Sequence, residues 1–174
     1  MSWFLALAAL LQAQTPPAPP PAPPAPTIIP APGGAVALVG PGDRESYDRF
    51  NYAAIRRAGD YLYVSGVIIG SAPGAPKTPE TFKEGARRAL RYLRNRLAAF
   101  DASFDDVVMI NSFHDWTAEE FKGDRLAQLD ALNAAKREFM KAPHPAWTAV
   151  GTTGLLAPGG VVEVQLIAYK PVKR

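Results

Sequence analysis

"VVEVQLIAY", residues 161–169, alternates with a period of two, which is the signature of a β-strand. Val162, Val164, Leu166 and Ala168 share one face, and Val161, Glu163, Gln165 and Ile167 share the other. A sheet with one wet face carries polar residues along that face, and Glu163 and Gln165 by themselves fit this reading. Val161 and Ile167 flank them, however, and a carboxylate set in so apolar a row points to a surface buried by another subunit. An acid in such a place needs a partner or a task.

Working back along the chain, Trp147–Gly151 forms another extended run, separated from the last by a break at "LLAPGG". "DDVVMINSFHDW" reads as a strand from Val107 to Phe113, and "YAAIRRAGDYLYVSGV" as a β-hairpin turning at Ala58-Gly59-Asp60. In the hairpin, Tyr61, Tyr63 and Ser65 alternate against Leu62 and Val64. Thr78-Pro79-Glu80 starts a helix whose apolar face is Phe82, Ala86, Leu90, Leu93, Leu97 and Phe100. Thr117-Ala-Glu-Glu has the form of a capping box, so a second helix is expected from Thr117, with Leu126, Leu129, Leu132 and Phe139 facing inward. The order strand, strand, helix, strand, helix, strand, strand predicts an α+β domain, a mixed sheet with two helices packed on one face. The other face then needs a cover.

Ahead of this lie two segments of different character. Trp3–Leu11 is an apolar run shorter than the ~20 residues that span a bilayer, and small residues follow it near Ala13, so residues 1–14 read as a signal peptide. The protein is therefore expected to be periplasmic or secreted, without stable membrane insertion after cleavage. Residues 15–44 read as a Pro-rich linker, because locked φ angles and missing N–H donors favour polyproline II over helix or interior strand. The folded domain is expected over residues 45–174.

Composition removes several kinds of chemistry. There is no cysteine, hence no thiol nucleophile and no disulfide. The 19 basic and 16 acidic side chains are interspersed, which gives no single-sign field for nucleic acid. Arg87, Arg88, Arg91 and Arg94 lie along one side of the first helix without an aromatic platform or glycine loop, as on a solvated face. No serine-hydrolase elbow and no dinucleotide- or phosphate-binding glycine pattern occurs. His114 and His144 lack metal-site spacing, so no metal is expected; His114 beside Asp115 has the form of an acid/base pair, but without a third partner it reads first as a surface hydrogen-bonded histidine.

Taken in order, "YAAIRRAGDYLYVSG", "FDASFDDVVMINSF", "LNAAKREFM", "PAWTAV" and "VVEVQLIAY" resemble the RidA/YjgF (Rid) family over roughly residues 50–170. The resemblance implies a chorismate-mutase-like fold, a homotrimer, and ligand clefts between subunits. It further implies, as in members with imine deaminase activity, hydrolysis of a reactive 2-iminoacid to a 2-oxoacid and ammonia, with neither metal nor organic cofactor. Carried over by position, Tyr52 and Ser65 would line the cleft, Asn133 would sit on the second helix beside it, and Glu163 would hold the attacking water. A carboxylate near an imine carbon can orient and deprotonate water, so the reading of Glu163 from its strand and from the resemblance agree.

The chain departs from the family pattern where an arginine would follow Pro-Ala. Trp147 stands there, and an indole offers one neutral N–H in place of a charged fork of donors. Ala149 replaces a frequent cysteine, Asp101 holds a helix-end position usually given to glycine, and "EEFKGDRLAQLDA" is longer than in compact members. Two functions follow: hydrolysis of an imine or enamine other than a conventional 2-iminoacid, with Trp147 as a stacking wall for an aromatic or cationic ligand, or a non-catalytic trimer binding a small ligand or partner in the same cleft.

Overall fold

The computed structural model describes residues 25–172, so the expected signal peptide and residues 15–24 of the expected Pro-rich linker lie outside the described residues. Seven strands and three helices follow in the order β1 (Thr27–Ala31), β2 (Gly34–Leu38), α1 (Pro41–Phe50), β3 (Ile55–Ala58), β4 (Tyr61–Ile69), α2 (Pro79–Ala98), β5 (Val107–Asp115), α3 (Arg125–Phe139), β6 (Ala146–Thr152) and β7 (Val162–Tyr169). They build one mixed sheet in the order β1-β2-β3-β4-β7-β5-β6. The β5–β6 pair is parallel and the others are antiparallel. The expected α+β class is the one observed.

The hairpin over Gly59, the strand from Val107 and the two last strands form where the alternation placed them. Leu62 and Val64 are buried and Tyr61 and Tyr63 exposed, while Val162, Val164, Leu166 and Ala168 join the core. Val161 is also fully buried: it lies just ahead of β7, donating to the Ile69 carbonyl and accepting from Asp115 N–H. On α2, Phe82, Ala86, Leu90, Leu93 and Leu97 pack onto the sheet, and burying each large member stabilises the fold by about 1.5–3 kcal/mol. The helix closes through Asp101 at φ 55°, with Ala102 N–H donating to the Leu97 carbonyl. Aspartate tolerates this left-handed position better than most residues, which is why glycine is dispensable there.

Three expectations fail. Residues 27–44, assigned to the linker, instead form β1, β2 and the start of α1, so the domain boundary at residue 45 is too late. Pro30 is accommodated because β1 is an edge strand, where a missing N–H costs no ladder bond on the open side. The second helix does not start at Thr117. The Thr117 hydroxyl and N–H both donate to Asp115 Oδ1, which holds a local turn, and Asp124 caps α3 instead by accepting from Ala127 N–H at 2.8 Å. Phe121 pins the intervening turn by an edge contact with Phe82. Consequently Leu126 is exposed, and Gln128, Ala131, Leu132 and Ala135 form the buried face.

α2 and α3 cover one face of the sheet. The other face carries Tyr61, Tyr63, Val150 and Tyr169 exposed, with Tyr61 and Tyr169 in ring contact at 5.3 Å. Among the described residues no helix is long and apolar enough to cross a membrane.

Candidate functional site

The five residues singled out from the sequence fall into two groups on opposite faces of the sheet. On the open face, Glu163 of β7 lies opposite Ile68 of β4 and Phe113 of β5. The β4–β7 register shifts between Val64 and Val67, and this bulge brings Gly66 under the Glu163 side chain. A Cβ at Gly66 would lie 2.6 Å from Glu163 Cδ and 2.7 Å from its Cγ, so only glycine admits the carboxylate there. Glu163 is half-buried and makes no hydrogen bond or ion pair among the described residues. Next to the bulge, Ser65 Oγ donates to the Ala53 carbonyl at 2.6 Å, and its N–H donates to Ala54. These bonds tie down the loop that presents Tyr52, which is exposed. Ser65, Ala53, Arg56, Tyr63 and Gln165 border a shallow hollow of about 340 Å³. Ser65 thus acts as a loop clamp on this face, its hydroxyl proton already committed.

On the helix face, Asn133 of α3 and Trp147 of β6 line a second cavity of about 300 Å³ with Lys136, Arg137, Met140 and His144. Trp147 does not stand free in it. Its Nε1–H donates to Ser112 Oγ at 2.8 Å, and the ring packs against the core between sheet and α3. Lys136 Nζ sits 3.6 Å from the ring centroid, a close cation–π contact. The expected stacking wall for a cationic ligand is therefore corrected: that face of the indole already holds an ammonium group.

Behind Trp147 a polar chain runs into the core. Ser112 Oγ lies 2.8 Å from His114 Nε2, and His114 Nδ1 lies 2.8 Å from Gln128 Oε1. Gln128 Nε2 donates in turn to the Asp115 carbonyl. One proton arrangement satisfies every member: Trp147 N–H to Ser112, Ser112 O–H to His114 Nε2, and His114 Nδ1–H to Gln128. It requires a neutral imidazole, and burial indeed pushes the His114 pKa below 6.5. His114 is fully buried and stacks on Trp116 at 4.4 Å, so its expected surface position is wrong. The signal was available in the alternation of β5, which puts His114 on the same face as Ile110 and Ser112.

Two further residues escaped the sequence reading. Lys136 follows Asn133 by three positions, hence on the same helix face, and Gly66 interrupts a strand pattern in the way that marks a bulge. The arginine stripe behaves as a solvated face: Arg87 pairs with Glu84 and Glu138, Arg88 donates to the Gly70 carbonyl, and Arg94 lies over Phe139. Among the described residues no group of three or more His, Asp or Glu side chains is placed to hold a metal ion.

The sequence profile of the family described as Endoribonuclease L-PSP matches residues 44–170. The chain belongs to this family, the RidA/YjgF family. The RutC family protein YjgH of Escherichia coli is 35% identical over 132 residues, which cover 75% of this chain and 92% of that protein. A solved structure of protein YjgH superposes with a TM-score of 0.55 at 36% identity, over 73% of this chain and 89% of the other. RidA from an Antarctic Psychrobacter, at 24% identity and a TM-score of 0.53 over 81% of this chain and 97% of its own, shares the fold.

Proposed function

We propose that this Rid-family protein works as an exported homotrimer whose clefts, formed between subunits, hydrolyse an imine or enamine. The observation that carries the reading is the separation of the two residue groups. Glu163 with the Ser65–Tyr52 loop lies on the open face, and Asn133 with Trp147 lies on the helix face, so one protomer alone cannot close a single site around them. A second copy packed on the open face supplies the missing half, and the apolar row of Tyr61, Tyr63, Val150 and Tyr169 supplies the reason to pack. The family resemblance supports the same arrangement.

In such a cleft the Glu163 carboxylate accepts a proton from water as its oxygen adds to the C=N carbon. The proton passes to the nitrogen to give a carbinolamine, whose hydroxyl proton then moves to the same nitrogen by way of the carboxylate as the C–N bond breaks, and ammonia leaves from a carbonyl product. Glu163 suits this role because it is half-buried and spends no lone pair on another side chain. Export is favoured by the short apolar run at residues 3–11 and the proline-rich stretch after it.

The experiment is ammonia release from a panel of imines generated in solution, with the wild-type chain and Glu163→Gln compared, alongside light scattering. A trimer with Glu163-dependent release is expected. A stable monomer at micromolar concentration overturns the shared cleft. A trimer that releases no ammonia from any imine overturns the hydrolase and leaves the second reading, a ligand-binding trimer, which is favoured by the commitment of the Ser65 hydroxyl to Ala53.

A further inference from the structure

Between α2 and β4 lies another hollow, of about 320 Å³, to which the cleft reading gives no task. β3 ends at Ile55, opposite Val64, and Ala54 accepts one more bond from Ser65 N–H. Beyond Ser65, the side of β4 away from β7 has no neighbouring strand among the described residues. The hollow opens between this stretch of β4 and Arg88, Tyr92 and Arg96, which follow one another at one-turn spacing along α2. Gly85 lets the helix close on the Gly70 carbonyl, where a side chain would strike it. Arg88 Nη2 donates to that same oxygen at 3.0 Å, which draws Arg88 out of the solvated stripe to the wall of the hollow. No acidic residue lines it.

Arg96 carries the argument. Its side chain is only 12% exposed, and its one partner, Asp43 Oδ1, accepts from Nη2 at 2.8 Å. Nε and Nη1 are buried with no partner among the described residues. Buried guanidinium nitrogens without acceptors carry a desolvation cost that an incoming oxyanion offsets. We infer that this hollow binds a small organic phosphate, its phosphate held by Arg96 and Arg88 and its ring laid against Tyr92. A phosphate brings three strong acceptor oxygens, which suit the fork of a guanidinium and can engage two of them at once. Arg88 has donors to spare, since among the described residues it makes only the bond to Gly70. Tyr92 is 62% exposed and offers an aromatic surface between the two arginines. The unpartnered nitrogens of Arg96 are closed to solvent although its side chain walls the hollow, so the ligand is met by a turn of the guanidinium that keeps its bond to Asp43. Arg88, Tyr92 and Arg96 are separate from the cleft residues named above, so occupancy of this site does not depend on imine turnover.

The probe is phenyl phosphate, titrated at constant ionic strength into the full-length protein. Binding is read from the Arg96 Nε–H resonance, assigned with Arg96→Lys, and in parallel from phosphorus NMR of the probe, which needs no Arg96 variant. A saturable shift is expected, with inorganic phosphate and benzoate both weaker. Arg88→Met, at an exposed position, should weaken phenyl phosphate roughly ten- to a hundredfold, the size of one lost charge-assisted bond. Tyr92→Ala should bring phenyl phosphate down to the level of inorganic phosphate. Absence of a saturable shift, an equal shift from sodium chloride at the same ionic strength, or binding at wild-type strength in Arg88→Met each overturns the site. Benzoate binding as tightly as phenyl phosphate overturns the phosphate assignment, and undiminished binding in Tyr92→Ala overturns the role of the ring.

Discussion

Replacing Ser112 by alanine tests the polar chain behind Trp147 more sharply than any change to the tryptophan itself. The substitution removes one oxygen and little volume, yet it strips a partner from two groups, the Trp147 indole N–H and His114 Nε2. Ser112 and His114 are fully buried and Trp147 is half-buried, so solvent cannot compensate fully. At about 1–3 kcal/mol for each orphaned group, the loss is about 2–5 kcal/mol, taking the indole near the lower end. For a domain of this length, each kcal/mol lowers Tm by about 2–4 °C, which gives a fall of about 4–20 °C. Thermal and urea unfolding should be run at one fixed protein concentration, because association adds its own stabilisation. In a double-mutant cycle with Trp147→Phe, the cost of Ser112→Ala should shrink by about 1–2 kcal/mol, since the indole donor is already gone. A Ser112→Ala protein within about 0.5 kcal/mol of wild type, or strict additivity in the cycle, would show that the chain of bonds does not hold the indole.

His114 titrates below 6.5 in the fold, so the unfolded chain takes up its proton first as pH falls; stability is full above 6.5 and declines toward the lower folded value. Stability measured from pH ~7 to ~5 should therefore fall less steeply in His114→Gln than in wild type, and parallel curves would refute the neutral buried imidazole. Gly66→Ala should push the Glu163 carboxylate aside, reducing ammonia release to the level of Glu163→Gln while costing about 1 kcal/mol or less in urea unfolding; retained activity would contradict the placement of Glu163. Asp43 is buried, binds Arg96 Nη2 at 2.8 Å through Oδ1 and accepts from Val39 N–H through Oδ2. Asp43→Ala should cost about 3–5 kcal/mol by leaving the Arg96 charge alone, and adding Arg96→Met should recover part of it in the same unfolding assay.

The fold was legible wherever one face of an element differed clearly from the other. Leu62 and Val64 against Tyr61 and Tyr63, or the leucines of α2, leave a single choice of inward side. The capping box at Thr117 misled because a threonine hydroxyl serves equally well in a turn, and here Asp115, two residues earlier, captures it before a helix can. The N-terminal strands were hidden by Pro30, which is a poor strand residue everywhere except at a margin, and the margin is a property of the whole sheet. For the candidate site, Glu163 was readable from its strand, because a carboxylate among valines is anomalous locally. Lys136 was not, since a lysine on an amphipathic helix is ordinary until the neighbouring strand shows what lies beneath its ammonium.

The strand order has a practical corollary for anchoring. β1 and β6 occupy opposite margins of the sheet, and the polypeptide preceding Thr27 joins at the β1 margin. A molecule moored by its amino end, whether by a bilayer, a bead or a fusion partner, is gripped at the margin away from the α3–β6 crevice. Immobilising the protein through that end should accordingly leave the crevice facing outward, presented to whatever diffuses past.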